Sequence, residues 1–366
     1  MILKNLIESD NARNLEDSVK WDLLSNYLSS YGNGAFSYAT LQKGVEYFLT
    51  DVGYIAYTTV RHSVFAPRTK QIVLGDPVTS DENKTRITEE FIQRGFNPVL
   101  TVISEKCAES LKDLDFKVNC IGYEPEIPIQ TYNTKGNWDE LNYIRRARNM
   151  IKKNKIKIFE SDPANIDLES LNHVSRLWLE NKSLNTREIW FYARNPVYKE
   201  EKDVRKFFAQ TNEGQLIGYS FYDPIYEAGN VIGYSANTVR CDEENFGRLS
   251  MAIHMHAIDK FRKEGKRTMN LCIAPFDKID IGKFQDSKSL YYFIKLMRKY
   301  GDRVYNFGGL SFHKSRYKAK EKPVYLATKG IMPTNDLYLA FLCSGIAESY
   351  FDTLWKLTKG IFSFKK

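Results

Sequence analysis

Three adjacent segments constrain the fold more than anything else in this chain. KQIVLGDPV (70–78) and PVLTVIS (98–104) are short apolar runs bounded by turn residues, and between them NKTRITEEFIQRG (83–95) has helical periodicity and closes on Gly95. A strand ending in the turn chemistry of Gly75-Asp76-Pro77, then an amphipathic helix, then a second buried strand is a unit of a layered sheet. A helix, the turn Tyr31-Gly32-Asn33-Gly34 and a strand fall within 14–50, and YIAYTTV (54–60) reads as another strand. A helix over 105–114 and a strand over 117–123 follow. Alternation of this kind implies an α/β domain.

A second unit begins near 133. In its first helix Leu141, Ile144, Ala147 and Ile151 recur at 3–4 spacing and predict a core-facing stripe. Arg145, Arg146, Arg148, Lys152 and Lys153 fall on the other faces, either as a solvated basic helix end or as a ridge for phosphates. A helix over 167–182, paired strands over 215–225 and 230–241, a long helix over 246–265, a strand over 267–274 and a helix over 287–301 come next. The segment VYNFGGLSFHKSRYKAKEKPVYLA (304–327) mixes aromatic and basic residues and ends in a strand. With 366 residues there is chain enough for two domains, expected at 1–132 and 133–330. Over 331–366 the stripe Leu339, Cys343, Ile346, Tyr350, Leu354 and Leu357, broadened by Phe351 and Trp355, predicts an amphipathic helical tail. Such a tail can lie in a membrane interface or pack on protein.

Composition narrows the partners. At 43% apolar and 27% charged the chain is globular, and a net charge of +8 favours an anionic partner such as nucleic acid, phosphate or an acidic membrane. The five cysteines show no CxxC spacing, which argues against a zinc site or a disulfide framework and suits a reducing compartment. His254 and His256 are two apart on a predicted helix and would diverge, so no metal is expected. The N-terminus is too short and polar for a signal peptide, and no run of about 18 apolar residues suggests a bilayer span. GxSxG, Walker A and GxGxxG motifs are absent.

YNFGGLSFHKSRYKAKEKPVYLA resembles the C-terminal signature of the phosphatidylglycerol lysyltransferase catalytic domain, which has a form near YNFxGLxxFKxKF…PxYLA. Collinear matches extend the resemblance from about 50 to 327: IVLGDPV (72–78), IGYEPEIPIQTYNTKG (121–136), IRRARNMIKKNKIKIFE (144–160), WLENK (178–182) with Glu188 beyond, and LCIAPF (271–276). The resemblance implies two tandem GNAT-like acyltransferase folds, each a mixed, mainly antiparallel sheet flanked by helices. It implies an enzyme that takes an aminoacyl group from charged tRNA, needs no metal or cofactor beyond that co-substrate, and passes the group to an acceptor. The acceptor is a phosphatidylglycerol-like lipid or, as in a distant branch, a small molecule. A cytoplasmic location is implied, with peripheral membrane contact through 336–366 if the acceptor is a lipid.

An activated ester needs its acceptor oriented, one proton removed and an oxyanion stabilised. By motif position the resemblance assigns Arg240 and Asn237 to the aminoacyl group or ester. It assigns Asn306, Phe307, Lys314 and Arg316 to the same pocket or the tRNA end, where Phe307, Phe312 and Tyr317 are candidates for base stacking or for core. Arg145, Arg146, Lys152 and Lys153 are the expected tRNA-phosphate contacts. One departure stands out: the family's Asp-x-x-Arg is Asn237-Thr238-Val239-Arg240 here, so a charge that would pair with an ammonium is missing. Asp242 or Glu188 is the expected substitute, for ammonium binding or proton transfer. Two alternatives stay open: an acyl-CoA-dependent N-acyltransferase, disfavoured because CDEENFGRLS has only Gly247 where a pyrophosphate loop is glycine-rich, and a non-catalytic module holding RNA or anionic lipid.

Overall fold

The computed structural model describes residues 17–62, 66–133, 141–181 and 188–347, with isolated positions beyond them as far as 358. Helix α1 (Asp17–Tyr31) precedes strands β1 (Glu46–Leu49), β2 (Gly53–His62), β3 (Ala66–Leu74) and the short β4 (Val78–Thr79). Helix α2 (Lys84–Gln93) buries Ile87 and Phe91 and crosses over to β5 (Pro98–Ile103), which pairs parallel to β3. Helix α3 (Glu105–Ser110), its start capped by the Ser104 hydroxyl accepting from the Cys107 N–H, leads into β6 (Lys117–Pro128).

The same plan recurs. After α4 (Asn142–Lys153), β7 (Lys157–Glu160) and α5 (Leu168–Glu180) come β8 (Arg205–Gln210), β9 (Leu216–Glu227) and β10 (Asn230–Cys241). Helix α6 (Leu249–Lys263) then crosses over to β11 (Thr268–Asn270), parallel to β10. Each half is thus an antiparallel meander, a crossover helix and one parallel partner. The chain closes with β12 (Ala274–Pro275), α7 (Lys288–Tyr300), α8 (Phe307–Ser315), β13 (Lys320–Thr328) and α9 (Pro333–Ser344). Neither β7 nor β8 is apparent from sequence pattern, and α8 lies within the aromatic, basic segment.

The two halves are welded by exchange of strands. The sheet runs β1-β2-β3-β5-β13-β6-β11-β10-β9-β8-β7, with β4 on β2 and β12 on β6. Strand β6 ends the first half but pairs with β11 of the second, while β13 ends the second half and lies between β5 and β6 of the first. The expected division after 132 therefore separates strands that belong to one hydrogen-bonded ladder.

Alternation along the strands feeds cores on both faces. Phe207 joins Tyr222, Tyr234 and Phe261 under α6, and its neighbour Phe208 joins Leu171, Val174 and Tyr219 under α5. In α4 the predicted stripe faces inward at Leu141, Ile144 and Ala147, Ile151 is half-buried, and Arg145, Arg146, Lys152 and Lys153 are exposed. The first part of the tail packs on the protein, the second of the two outcomes expected of it. Helix α9 is not a separate element: Leu337, Leu339 and Phe341 are buried in the main core with Ile72 and Leu326. Asp336, also buried, accepts the Thr328 hydroxyl at 2.5 Å and pairs with Lys70 at 2.5 Å. Tyr350, Phe351, Leu354 and Leu357 of the predicted stripe lie outside the described residues. Among those described, no helix is long and apolar enough to cross a membrane. Leu339 is wholly buried, so Leu339→Ala is expected to lower the unfolding free energy by about 2–5 kcal/mol in urea titration; an unchanged midpoint would put α9 outside the core.

Candidate active site

The cavity begins where two parallel strands part. Strands β10 and β11 pair only over Gly233–Ser235 and Thr268–Asn270. Gly233 permits the close approach, since a Cβ there would sit 2.2 Å from the Thr268 carbonyl oxygen. Past this point β10 loses register between Ser235 and Thr238, while the other strand turns away through Cys272 and Phe276, both left-handed at φ +59° and +64°. Such backbone positions are strained for non-glycine residues and concentrate at functional sites. The gap is a cavity of about 750 Å³, walled by β10, the 271–276 segment, α8, Trp178 of α5 and Glu188. Much of the remaining lining is apolar, including Ile121, Phe276, Leu337 and Phe341.

Arg240 is the most restrained cation on this wall. Its guanidinium donates to Glu188 Oε2 at 2.7 Å and to the Val239 carbonyl at 3.1 Å, and lies 3.7 Å over the Trp178 ring. One carboxylate, one carbonyl and one aromatic face thus fix a planar group. Its Nε is buried without an acceptor.

Asn237 sits in the bulge of β10. Its Oδ1 accepts the Arg194 N–H at 3.1 Å, and Thr238 Oγ1 donates to the Arg194 carbonyl at 3.1 Å, so side chains replace the missing ladder. The Asn237 amide nitrogen lies by the Asp223 carboxylate and helps hold its charge, yet no acceptor is in hydrogen-bond geometry with it. Burial pushes the Asp223 carboxyl up to about 6 despite the Arg194 guanidinium beside it. Arg194 is ion-paired with both Asp223 and Glu201, and Lys206 reaches Glu201 at 2.9 Å. The acid nearest the asparagine is therefore already committed to a buried cation.

Among the described residues Lys314 has no such partner. Its Nζ donates to the Ile273 carbonyl at 2.5 Å, and burial brings its pKa down to about 8, with Cys272 and Glu124 opposing. Burial also pushes the Cys272 thiol up to about 11 and the Glu124 carboxyl up to about 7. His254 faces the cavity with Nδ1 2.7 Å from the Tyr222 hydroxyl, and burial drives its pKa down to about 3, so it acts as a neutral hydrogen-bonding group. His256 packs on Phe207 instead, so the two rings diverge. Among the described residues no cluster of His, Cys, Asp and Glu has the makings of a metal site.

Arg240, Glu188, Asn237, Asn306, Phe307 and Lys314 thus meet at one cavity. Asp242 does not: its carboxylate caps its own loop, accepting from the Asn245 N–H at 3.2 Å and Nδ2 at 2.9 Å. Asn306 contributes to the wall as the N-cap of α8, accepting from the Gly309 N–H at 2.9 Å. Phe307, 1% exposed and 4.8 Å from Phe276, is core, and Tyr317 is wholly buried, so neither offers a face for a base. Arg316 lies outside the cavity, as do the basic residues of α4. Glu243 and His313 line it without having been singled out. Glu243 accepts from the Ser250 N–H at 3.0 Å and from the Ser250 hydroxyl, plugging the start of α6. An acid just before a predicted helix was the available signal. Arg194 carried none, because its partners are supplied by distant strands.

Burial of the Lys314 ammonium makes stability depend on pH. The unfolded chain holds its proton up to the ordinary lysine value of 10.5, whereas the folded chain releases it near 8. Between those limits the unfolded state binds more protons, so stability grows with pH. Lys314→Met is expected to be more stable relative to the parent at pH 7 than at pH 10.5 in thermal unfolding. A difference independent of pH would contradict the buried, depressed lysine.

Comparison with known proteins agrees with the fold. A family profile for "Phosphatidylglycerol lysyltransferase, C-terminal" matches residues 25–328. An uncharacterized protein of Corynebacterium glutamicum is 20% identical over 341 residues, covering 91% of this chain; the chain spans 40% of that relative's length. The structure of L-PGS from Bacillus licheniformis superposes with a TM-score of 0.71 at 17% identity, covering 92% of this chain and 99% of that one. A C-terminal domain from Agrobacterium fabrum, assigned to lysylphosphatidylglycerol synthetase, gives 0.70 at 16% identity over 91% and 99%. The strand–helix plan, the twofold repeat and the match across most of its length place the chain in the phosphatidylglycerol lysyltransferase C-terminal family.

Proposed function

We propose that the chain is an aminoacyltransferase that moves an aminoacyl group from charged tRNA to a hydroxyl or amine acceptor in the β10/β11 cavity. The observation that carries the reading is the pair of cationic donors, Arg240 and Lys314, on the wall of one cavity, Arg240 fixed by Glu188 and the Trp178 ring and Lys314 by the Ile273 carbonyl. Fixed donors of this kind suit an ester carbonyl that becomes an oxyanion. The acceptor oxygen or nitrogen attacks the ester carbon, the carbon–oxygen bond to the terminal ribose breaks, and the acceptor's proton ends on the ribose oxygen. Lys314, present in both forms near pH 8, is the candidate to carry that proton.

The transferred side chain is read as uncharged, because Asn237 stands where the family carries an acid. Asp223 beside Asn237 is held by Arg194 and Glu188 is held by Arg240, so neither is left to pair with a lysyl ammonium, and the cavity's other acids, Glu243 and Glu244, lie by the start of α6 and not at Asn237. The acyl-CoA alternative is disfavoured by Glu243, which places a carboxylate at the α6 start where a pyrophosphate would need free N–H groups. The expected acceptor is a phosphatidylglycerol-like lipid or a small hydroxylated molecule, reached from the cytoplasmic side.

Radiolabelled aminoacyl-tRNAs with lipid and soluble acceptor fractions test this. Arg240→Ala is expected to reduce transfer at least 100-fold, in line with removal of an oxyanion donor. Transfer undiminished in that variant would remove Arg240 from the site, and a clear preference for lysyl-tRNA would overturn the neutral reading.

A further inference from the structure

Outside the cavity, one side-chain cluster is unexplained by transfer chemistry. The Arg316 guanidinium lies 3.8 Å from the Phe312 ring centre and 4.3 Å from that of Tyr143, and the two rings meet edge to face at 6.1 Å and 82°. Arg248 lies 5.1 Å from the same Tyr143 ring. Rings and guanidiniums thus alternate in the order Phe312, Arg316, Tyr143, Arg248. Phe312 is 50% exposed, unusual for a phenylalanine in a helix whose other aromatic residue is core. Two like charges against one ring repel, and among the described residues neither arginine is paired with a carboxylate. The Nε atoms of both are buried without an acceptor. Arg248 is also held in a left-handed conformation, φ +72°, a strained position for a side chain of this size.

We propose that this ladder is a docking platform for an unpaired nucleotide, with the base stacked on the open face of Phe312 and the flanking phosphates met by Arg316 and Arg248. An exposed ring whose neighbour is a fixed guanidinium offers both parts of a single-stranded nucleic-acid site, a flat apolar face and an anion-binding fork. A lipid headgroup would use the charge but has no planar group for the ring. Position links the platform to the cavity: Phe312 faces solvent while the next two residues of α8, His313 and Lys314, line the cavity wall. Arg145 and Arg146, exposed on the helix that carries Tyr143, extend the positive surface. The identification of the strand as a tRNA 3′ end rests on the aminoacyltransferase reading; the stacking itself can be tested without transfer.

The probe is a fluorescent single-stranded RNA hexamer ending in CCA, beside the same oligomer with abasic terminal nucleotides, titrated against the full chain by anisotropy. Phe312→Ala is expected to weaken binding of the intact RNA by about 5- to 100-fold, while Phe312→Tyr stays near the parent and the abasic oligomer binds the parent as weakly as intact RNA binds Phe312→Ala. Arg316→Ala is expected to lower the salt slope by about one, and Phe312→Ala to leave it unchanged. Equal binding of intact and abasic RNA, or no effect of Phe312→Ala, overturns the platform. So does a Phe312→Ala defect confined to phosphatidylglycerol vesicles. Arg240-dependent transfer that is kinetically indifferent to Phe312→Ala sinks the platform and leaves the transferase reading intact. Phe312-dependent RNA binding with no transfer from any charged tRNA does the reverse.

Discussion

Three residue pairs hold β10 to β11, and much of what surrounds the cavity compensates for the pairing that stops there. Beyond Ser235 the backbone of β10 would be left with unmet polar groups in the interior, a costly state. The chain meets the demand with side chains. Asn237 and Thr238 bind the N–H and carbonyl of Arg194, so one residue of a distant loop stands in for a strand. Cys272 Sγ lies 3.2 Å from Ser235 Oγ, and the Cys272 N–H donates to Asn270 Oδ1 at 2.6 Å. A cavity results whose edges are rigid although the sheet is interrupted.

Charge around the opening is arranged asymmetrically. Beneath β10, Arg194 and Lys206 are matched by Asp223 and Glu201, a neutral buried group whose members would each be costly alone. On the cavity wall Arg240 is matched by Glu188, but among the described residues Lys314 has only a carbonyl. Its proton is accordingly loosely held, and the same burial that lowers its pKa keeps the Cys272 thiol protonated. A labile proton beside fixed charges is a useful property in a site that must pass one on.

Local signals carried the repeating strand–helix–strand plan and the inward stripe of α4, because period and turn chemistry act over a few residues. Motif order brought Arg240, Asn237, Glu188 and Lys314 to one cavity. What stayed hidden was long-range. Nothing local tells β13 to lie between β5 and β6, and nothing near Arg194 announces Asp223 or Glu201. The aromatic residues show the limit most clearly. Phe307 and Phe312 are five apart on α8, where they point inward and outward, but without the helix phase both read alike as candidates for stacking. Asp242 failed for a different reason: a short acid next to a turn serves its own backbone before it serves a ligand.

The exchange of β6 and β13 also bears on how the chain is assembled in time. Strand β5 emerges from synthesis more than 200 residues before its neighbour β13, which begins at Lys320. Until then the first half has β5 and β6 complete but nothing to join them, each with an open edge. Neither half can finish as a self-contained folding unit, so the last hydrogen bonds in the first half's sheet form late and between residues far apart in the chain. Topologies of this kind fold slowly and expose pairing surfaces on the way. A nascent chain arrested between α8 and β13 would therefore be open to strand pairing with a neighbouring copy, and release of a few more residues would close that route.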